Sequence, residues 1–249
     1  MRYVIILSYD GSAFCGWQRQ KEAVSVQQKL EEALCTLLGG EISVVGAGRT
    51  DTGVNAMNYA AHFDFPGKIA DCRTLCYKLN AILPHEIAVS SISEADEDFH
   101  ARFSAKKREY TYYLHRTKDP FLERYSYLCG YPVLDFDKMN LAASFLIGTH
   151  DFKCFEKKGS DNKTSICTIY EAGWFPVQGN AGTAEQWAFR IVGDRFLRNM
   201  VRAIVGTLIE VGRLKRSPLD IPLLLEGGSR SDSGESVPGK ALFLTKIEY

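Results

Sequence analysis

Residues 2–9, Arg-Tyr-Val-Ile-Ile-Leu-Ser-Tyr, are β-branched and aromatic with almost no polar interruption, which predicts a strand buried on both faces. A polar loop follows over 10–24, carrying Gly11, Gly16, Trp17, Gln18 and Arg19. Ser25 and Gln28 have capping-box spacing, and Val26, Leu30, Ala33, Leu34, Leu37 and Leu38 form one apolar stripe, so a helix is predicted up to the Gly39-Gly40 stop. Strand-like residues 41–47 come next. Beyond a glycine-rich turn, 57–65 reads as a strand, 71–82 as a helix and 87–93 as a strand.

The order is β-α-β-β-α-β, the element order of a ferredoxin-like α/β sandwich. Near residue 105 it restarts. Residues 108–114 read as a strand, about 135–147 as a helix, and about 164–175 and 185–193 as strands. A long helix is predicted over about 195–211 and a short one over 218–226, before the polar loop 227–234 and a closing strand at 241–248. The predicted class is α+β, with two ferredoxin-like halves, 1–104 and 105–249. No sequence-level repeat accompanies them, so the duplication rests on element order.

The composition, 45% apolar and 24% charged over 249 residues, is that of an ordinary globular protein. No apolar run approaches the ~18 residues of a spanning helix, and Met1-Arg2-Tyr3-Val4 leads straight into a strand, so a cytoplasmic protein without membrane attachment is expected. The seven cysteines are scattered and odd in number, which predicts reduced thiols. Cys72 and Cys76 share a helical spacing, but no further ligand pattern joins them, and no metal is expected.

Net charge is zero, but it is segregated. Residues 102–124 carry a local excess of +4 and residues 190–216 of +5, while Glu94, Asp96, Glu97 and Asp98 cluster just before the first basic block. Segregated charge can present a positive surface to phosphates, and two solvated faces would look the same.

Three constellations are candidates for chemistry. In Gly46-Ala47-Gly48-Arg49-Thr50-Asp51-Thr52-Gly53-Val54 the third glycine of a dinucleotide-binding turn is missing and a strand follows, so no nucleotide cofactor is expected. Arg49 and Asp51, two apart in extended backbone, can lie on one side, where the guanidinium favours an ionised carboxylate able to act as a nucleophile. A plain turn stabilised by an Arg-Asp pair is the competing structural account. Second, Arg195, Arg198 and Arg202 recur along one side of the predicted long helix, suited to phosphate or carboxylate. Third, Tyr110 and Tyr112 share a strand face beside Lys107 and Arg108, suited to base stacking or to core packing.

The first segment resembles the signature of the TruA family of tRNA pseudouridine synthases. Asp10-Gly11-Ser12-Ala13-Phe14-Cys15-Gly16-Trp17-Gln18, Ala101-Arg102-Phe103-Ser104-Ala105, Arg108-Glu109-Tyr110-Thr111-Tyr112, Gly148-Thr149-His150-Asp151-Phe152 and Phe196-Leu197-Arg198-Asn199-Met200-Val201-Arg202 resemble further family blocks, in family order along essentially the whole chain. The resemblance implies two ferredoxin-like halves with joined, mainly antiparallel sheets and a positively charged cleft. It implies a homodimer that binds tRNA and isomerises uridines 38, 39 and 40 of the anticodon stem-loop without a cofactor.

By the same resemblance Asp51 is the nucleophile, Arg49 and Arg202 its charge partners, Tyr110 the aromatic against the target base, and Leu242 a packing residue at the substrate. Arg198 is expected to meet phosphate. Asn55 stands where the family commonly has His, and Pro238-Gly239-Lys240-Ala241-Leu242 matches the family block in part, which places Asn55 among the residues expected to influence substrate choice. A catalytically inactive tRNA-binding protein of the same fold is the alternative.

Overall fold

β1 (Arg2–Tyr9) lies between two antiparallel neighbours, β3 (Asn55–Asp64) and β4 (Ile87–Ala95). Its side chains alternate: Tyr3, Ile5, Leu7 and Tyr9 are buried, while Arg2, Val4, Ile6 and Ser8 are half-covered. The strand therefore has one core face, not the two that its continuous apolar run predicts; the strand period of two turns every second residue away from the core whatever its polarity. The computed structural model describes residues 1–160, 162–177 and 185–249.

The chain divides into two units, Met1–Lys106 with Phe243–Tyr249, and Lys107–Leu242. In the first, α1 (Val26–Leu38), β2 (Val44–Gly46) and α2 (Cys72–Ile82) complete the β-α-β-β-α-β order, and the strands lie as β4-β1-β3-β2. Ser25 caps α1 by accepting from the Gln28 N–H at 3.3 Å. The Gln28 side chain bonds Glu32 instead of returning to the cap, so one arm of the capping box is made. Val26, Leu30 and Leu34 of α1 and Leu75 and Leu79 of α2 are buried with the odd-numbered side chains of β1.

β10 (Leu242–Glu248) supplies the closing strand, with Phe243 and Leu244 running parallel to Asn55 and Ala56 of β3. Residues 243–249 thus cluster with the first unit, although the sequence order alone leaves them with the second. The Lys106 N–H donates to the Glu248 carbonyl at 2.7 Å, and the Tyr249 hydroxyl to the Ala101 carbonyl at 2.9 Å.

The second unit holds β5 (Lys107–His115), β6 (Tyr127–Leu128), α3 (Phe136–Ser144), β7 (Gly148–Asp151), β8 (Ile166–Val177), β9 (Gln186–Gly193), α4 (Met200–Gly212) and α5 (Asp220–Gly227). Strands β5, β9, β8 and β7 are successive antiparallel neighbours, and β6 runs parallel along β5. α4 is buried along almost its whole length. The fold class is α+β with mainly antiparallel pairing. All seven cysteines are free thiols, and burial pushes Cys154 and Cys167 up to about 12. No helix among the described residues is long and apolar enough to cross a membrane.

Candidate active site

In the first unit the loop between β2 and β3 is organised around Thr50. This side chain is 8% exposed and hydrogen-bonds the Tyr9 hydroxyl at 2.9 Å, while its carbonyl accepts from the Trp17 N–H at 3.3 Å. With Thr50 turned inward, Arg49 on one side of it is exposed and Asp51 on the other is half-buried. The turn that follows is closed by the Val54 N–H donating to the Asp51 carbonyl at 3.1 Å. Gly48 is fixed from the other side, since the Tyr59 hydroxyl donates to its carbonyl.

The loop at residues 10–18 is a brace for this one. Gly16 has φ +81°, and a Cβ there would lie 2.3 Å from the Thr50 carbonyl oxygen, so only glycine lets the two backbones meet. Trp17, Tyr59 and Tyr9 pack as an aromatic cluster beneath, with the Trp17 and Tyr59 ring centroids 4.3 Å apart. Asn55 is 2% exposed and its Oδ1 accepts from the Gly11 N–H at 2.8 Å. Its side chain is therefore spent inside the protein, joining β3 to the brace.

In the second unit Tyr110 sits on β5 opposite Ile191, 9% exposed, with its ring edge-on to Phe196 at 5.1 Å. Tyr112, on the same face, is fully buried, and burial pushes its phenol above the ordinary tyrosine range while the nearby Arg202 charge pulls the other way. Arg202 lies in the first turn of α4, where its Nε donates to the Val237 carbonyl at 2.7 Å. The segment carrying Val237 is pressed onto α4: a Cβ on Gly206 would fall 1.7 Å from the Glu235 carbonyl oxygen. Leu242 is 4% exposed and follows the short 3-10 turn Gly239–Ala241.

The family model of tRNA pseudouridine synthase matches residues 5–104 and 142–249. A protein named tRNA pseudouridine synthase A from Bacteroides fragilis is 47% identical over 248 residues, covering 100% of this chain and 96% of its own. Proteins of the same name from Porphyromonas gingivalis and Bacillus licheniformis are 46% and 40% identical, each across 100% of this chain and 97% and 99% of their own. This chain belongs to the tRNA pseudouridine synthase family.

Within that family setting, the long helix expected from residue 195 is corrected. α4 begins at Met200, because Asn199 takes a left-handed conformation (φ +66°) and its Nδ2 donates to Ser236 Oγ at 2.6 Å. Arg195 and Arg198 therefore lie in the approach to the helix, with Arg198 exposed, and the three arginines do not share a helical face. The basic block at 190–216 is also partly consumed internally. Arg190 bridges Glu109 and Glu171 at 3.0 Å each, and Arg216 pairs with Glu210 at 3.0 Å.

Tyr9, Thr50 and Asn199 were missed by sequence reading, and only the left-handed tolerance of Asn hinted at the last. Among the described residues no cluster of three His, Cys, Asp or Glu side chains could hold a metal ion.

Proposed function

We propose that the chain isomerises uridine to pseudouridine in tRNA with Asp51 as the nucleophile. The observation that carries this reading is the inward Thr50, held by Tyr9 and Trp17, which fixes the backbone that carries the half-buried Asp51. An acid in a plain turn would not need a glycine at φ +81° and a buried Asn55 behind it. Family membership supplies the substrate class: uridines of tRNA, and by resemblance those at positions 38, 39 and 40 of the anticodon stem-loop.

The uridine leaves its stack before reaction, since neither its glycosidic bond nor its ring can be worked on within a helix. The Asp51 carboxylate attacks the sugar C1′ or the uracil C6, the C1′–N1 bond breaks and the base turns. C5 then bonds to C1′, the Asp51 ester or adduct is released, and the C5 proton passes to N1 through solvent or the Tyr110 hydroxyl. Atoms and electrons balance within the nucleotide, so no oxidant or cofactor enters.

Arg49 and Arg202 act as charge partners, Tyr110 receives the base, Arg198 meets phosphate and Leu242 packs at the substrate. Asn55 acts on this site from behind, through Gly11. The reading includes a homodimer and a cytoplasmic location, as the resemblance implies.

The test is incubation of unmodified tRNA with the protein alone, followed by mapping of pseudouridine by chemical adduct and primer extension. Product is expected from wild type and none from Asp51→Asn. Binding without product from the folded wild type would favour an inactive tRNA-binding protein, and a fully active Asp51→Asn would remove the nucleophile assignment.

A further inference from the structure

The segment after Trp17 and the start of α1 enclose an open groove of about 860 Å³, with Arg19, Gln20, Lys21, Gln27 and Glu31 in its lining. Its floor is a closed polar network. Gln27 Oε1 accepts from Gln18 Nε2 at 2.7 Å and from the Arg19 N–H at 2.9 Å, while its Nε2 donates to Glu31 Oε1 at 3.0 Å and to the Val44 carbonyl at 2.9 Å. Glu31, 5% exposed, also accepts from the Val44 N–H at 3.0 Å and from Arg19 Nη1 at 2.9 Å.

A buried carboxylate requires compensation, and Arg19 supplies it. In return Arg19 is held at one nitrogen while its side chain stays 55% exposed to the groove. A guanidinium fixed in this way has its remaining donors pre-aimed, so little further side-chain ordering is needed to meet an anion. The acid that could repel an anion here, Glu31, is already engaged with three donors. Exposed Lys21 adds a second cation, against Glu22 as the exposed acid of the rim.

The groove also has a fixed relation to the Asp51 loop. Trp17, two residues before Arg19, donates to the Thr50 carbonyl, and its own carbonyl accepts from the Gln27 N–H at 3.0 Å. Trp17 thus ties the floor of the groove to the backbone next to Asp51.

We propose that this groove takes the sugar–phosphate backbone of the substrate RNA, with Arg19 as a phosphate contact set in place by Glu31 and Gln27. The proposal rests on tRNA being the substrate, as argued above, but not on Asp51 being the nucleophile.

The test uses the full chain and unmodified tRNA, with affinity read by fluorescence anisotropy over a series of salt concentrations. Arg19→Ala is expected to weaken binding about tenfold near 0.1 M salt and to lower the slope of log affinity against log salt by about one phosphate's worth, ~0.7–0.9. Glu31→Gln is expected to weaken binding less. The double variant should match Arg19→Ala alone, because Glu31 acts through Arg19. If alanine at 19 lowers the melting temperature, Arg19→Gln, of similar length, must give the same slope change.

A folded Arg19 variant that binds as wild type, or weaker binding with an unchanged slope, overturns the proposal. Wild-type binding without pseudouridine would count against the isomerase reading while leaving the groove standing.

Discussion

Asn55 on β3 and Gly11 at the head of the brace are joined by a buried 2.8 Å hydrogen bond, which ties the strand leaving the Asp51 loop to the loop that supports it from behind. Asn55→Ala leaves the Gly11 N–H unpaired in the interior, at a cost of about 1–3 kcal/mol. Thermal melting should register that loss, and pseudouridine formation should fall with it. Binding affinity for tRNA should change little, since Asn55 is too buried to touch RNA; a large affinity loss at unchanged melting would contradict the positioning role.

Gly16→Ala asks a residue with a side chain to adopt φ +81° and to place its Cβ against the Thr50 carbonyl. Strain of this kind costs on the order of 1–3 kcal/mol, and the backbone must separate at Thr50. The expected outcome is a folded protein of lower melting temperature whose kcat drops more steeply than its tRNA affinity. Wild-type kcat in this variant would mean the brace is irrelevant to the site.

Arg202→Lys keeps the charge but loses the planar Nε donor that reaches the Val237 carbonyl. A hydrogen bond from a charged group contributes roughly 1.5–3 kcal/mol, and a lost 1.4 kcal/mol in the transition state is about tenfold in rate. Single-turnover assays should give at least that reduction. An unaltered rate would show that charge alone suffices at this position.

His62 sets a pH dependence of stability. Burial, together with the Arg2 and His100 charges, pushes its imidazole down to about 4, and its Nδ1 accepts from the Ala101 N–H at 3.1 Å. The unfolded chain takes up a proton near pH 6.5 that the folded one refuses until about 4, so stability falls as pH drops through that window, by up to about 1.4 kcal/mol per pH unit from this group. Urea titrations between pH 4 and 7 should show the slope, and His62→Gln should flatten it; the same slope in both proteins would assign it to another group.

The first unit was largely legible because its signals are local. Ser25, the α1 stripe and Gly39 mark a helix whose bounds depend on nothing far away. The short strands β6 and β7 escaped notice, since two and four residues carry no period. The start of α4 was misplaced because its apolar spacing extends back through Leu197, whereas the break at Asn199 depends on Ser236, 37 residues on. For the site, the motif drew attention to Asp51, but Thr50 beside it does the anchoring, and its partner Tyr9 lies in a strand that reads as plain core. Asn55 was read as a departure from a family pattern near the substrate, and its buried bond to Gly11 could not be read from one position.

The pairing of Phe243 and Leu244 with Asn55 and Ala56 bears on how the protein comes into being. The unit that carries Asp51 is interrupted by the other, so a nascent chain on the ribosome can assemble residues 107–242 before the 1–106 portion has its last strand. Until that strand is synthesised, the edge of β3 beside Asn55 is an open template for chaperones or for another strand to occupy. Synthesis and docking of seven residues separated from Lys106 by an entire folded unit thus become the step at which the Asp51-bearing unit is completed, and slow translation there should lengthen the interval in which that edge is open to aggregation.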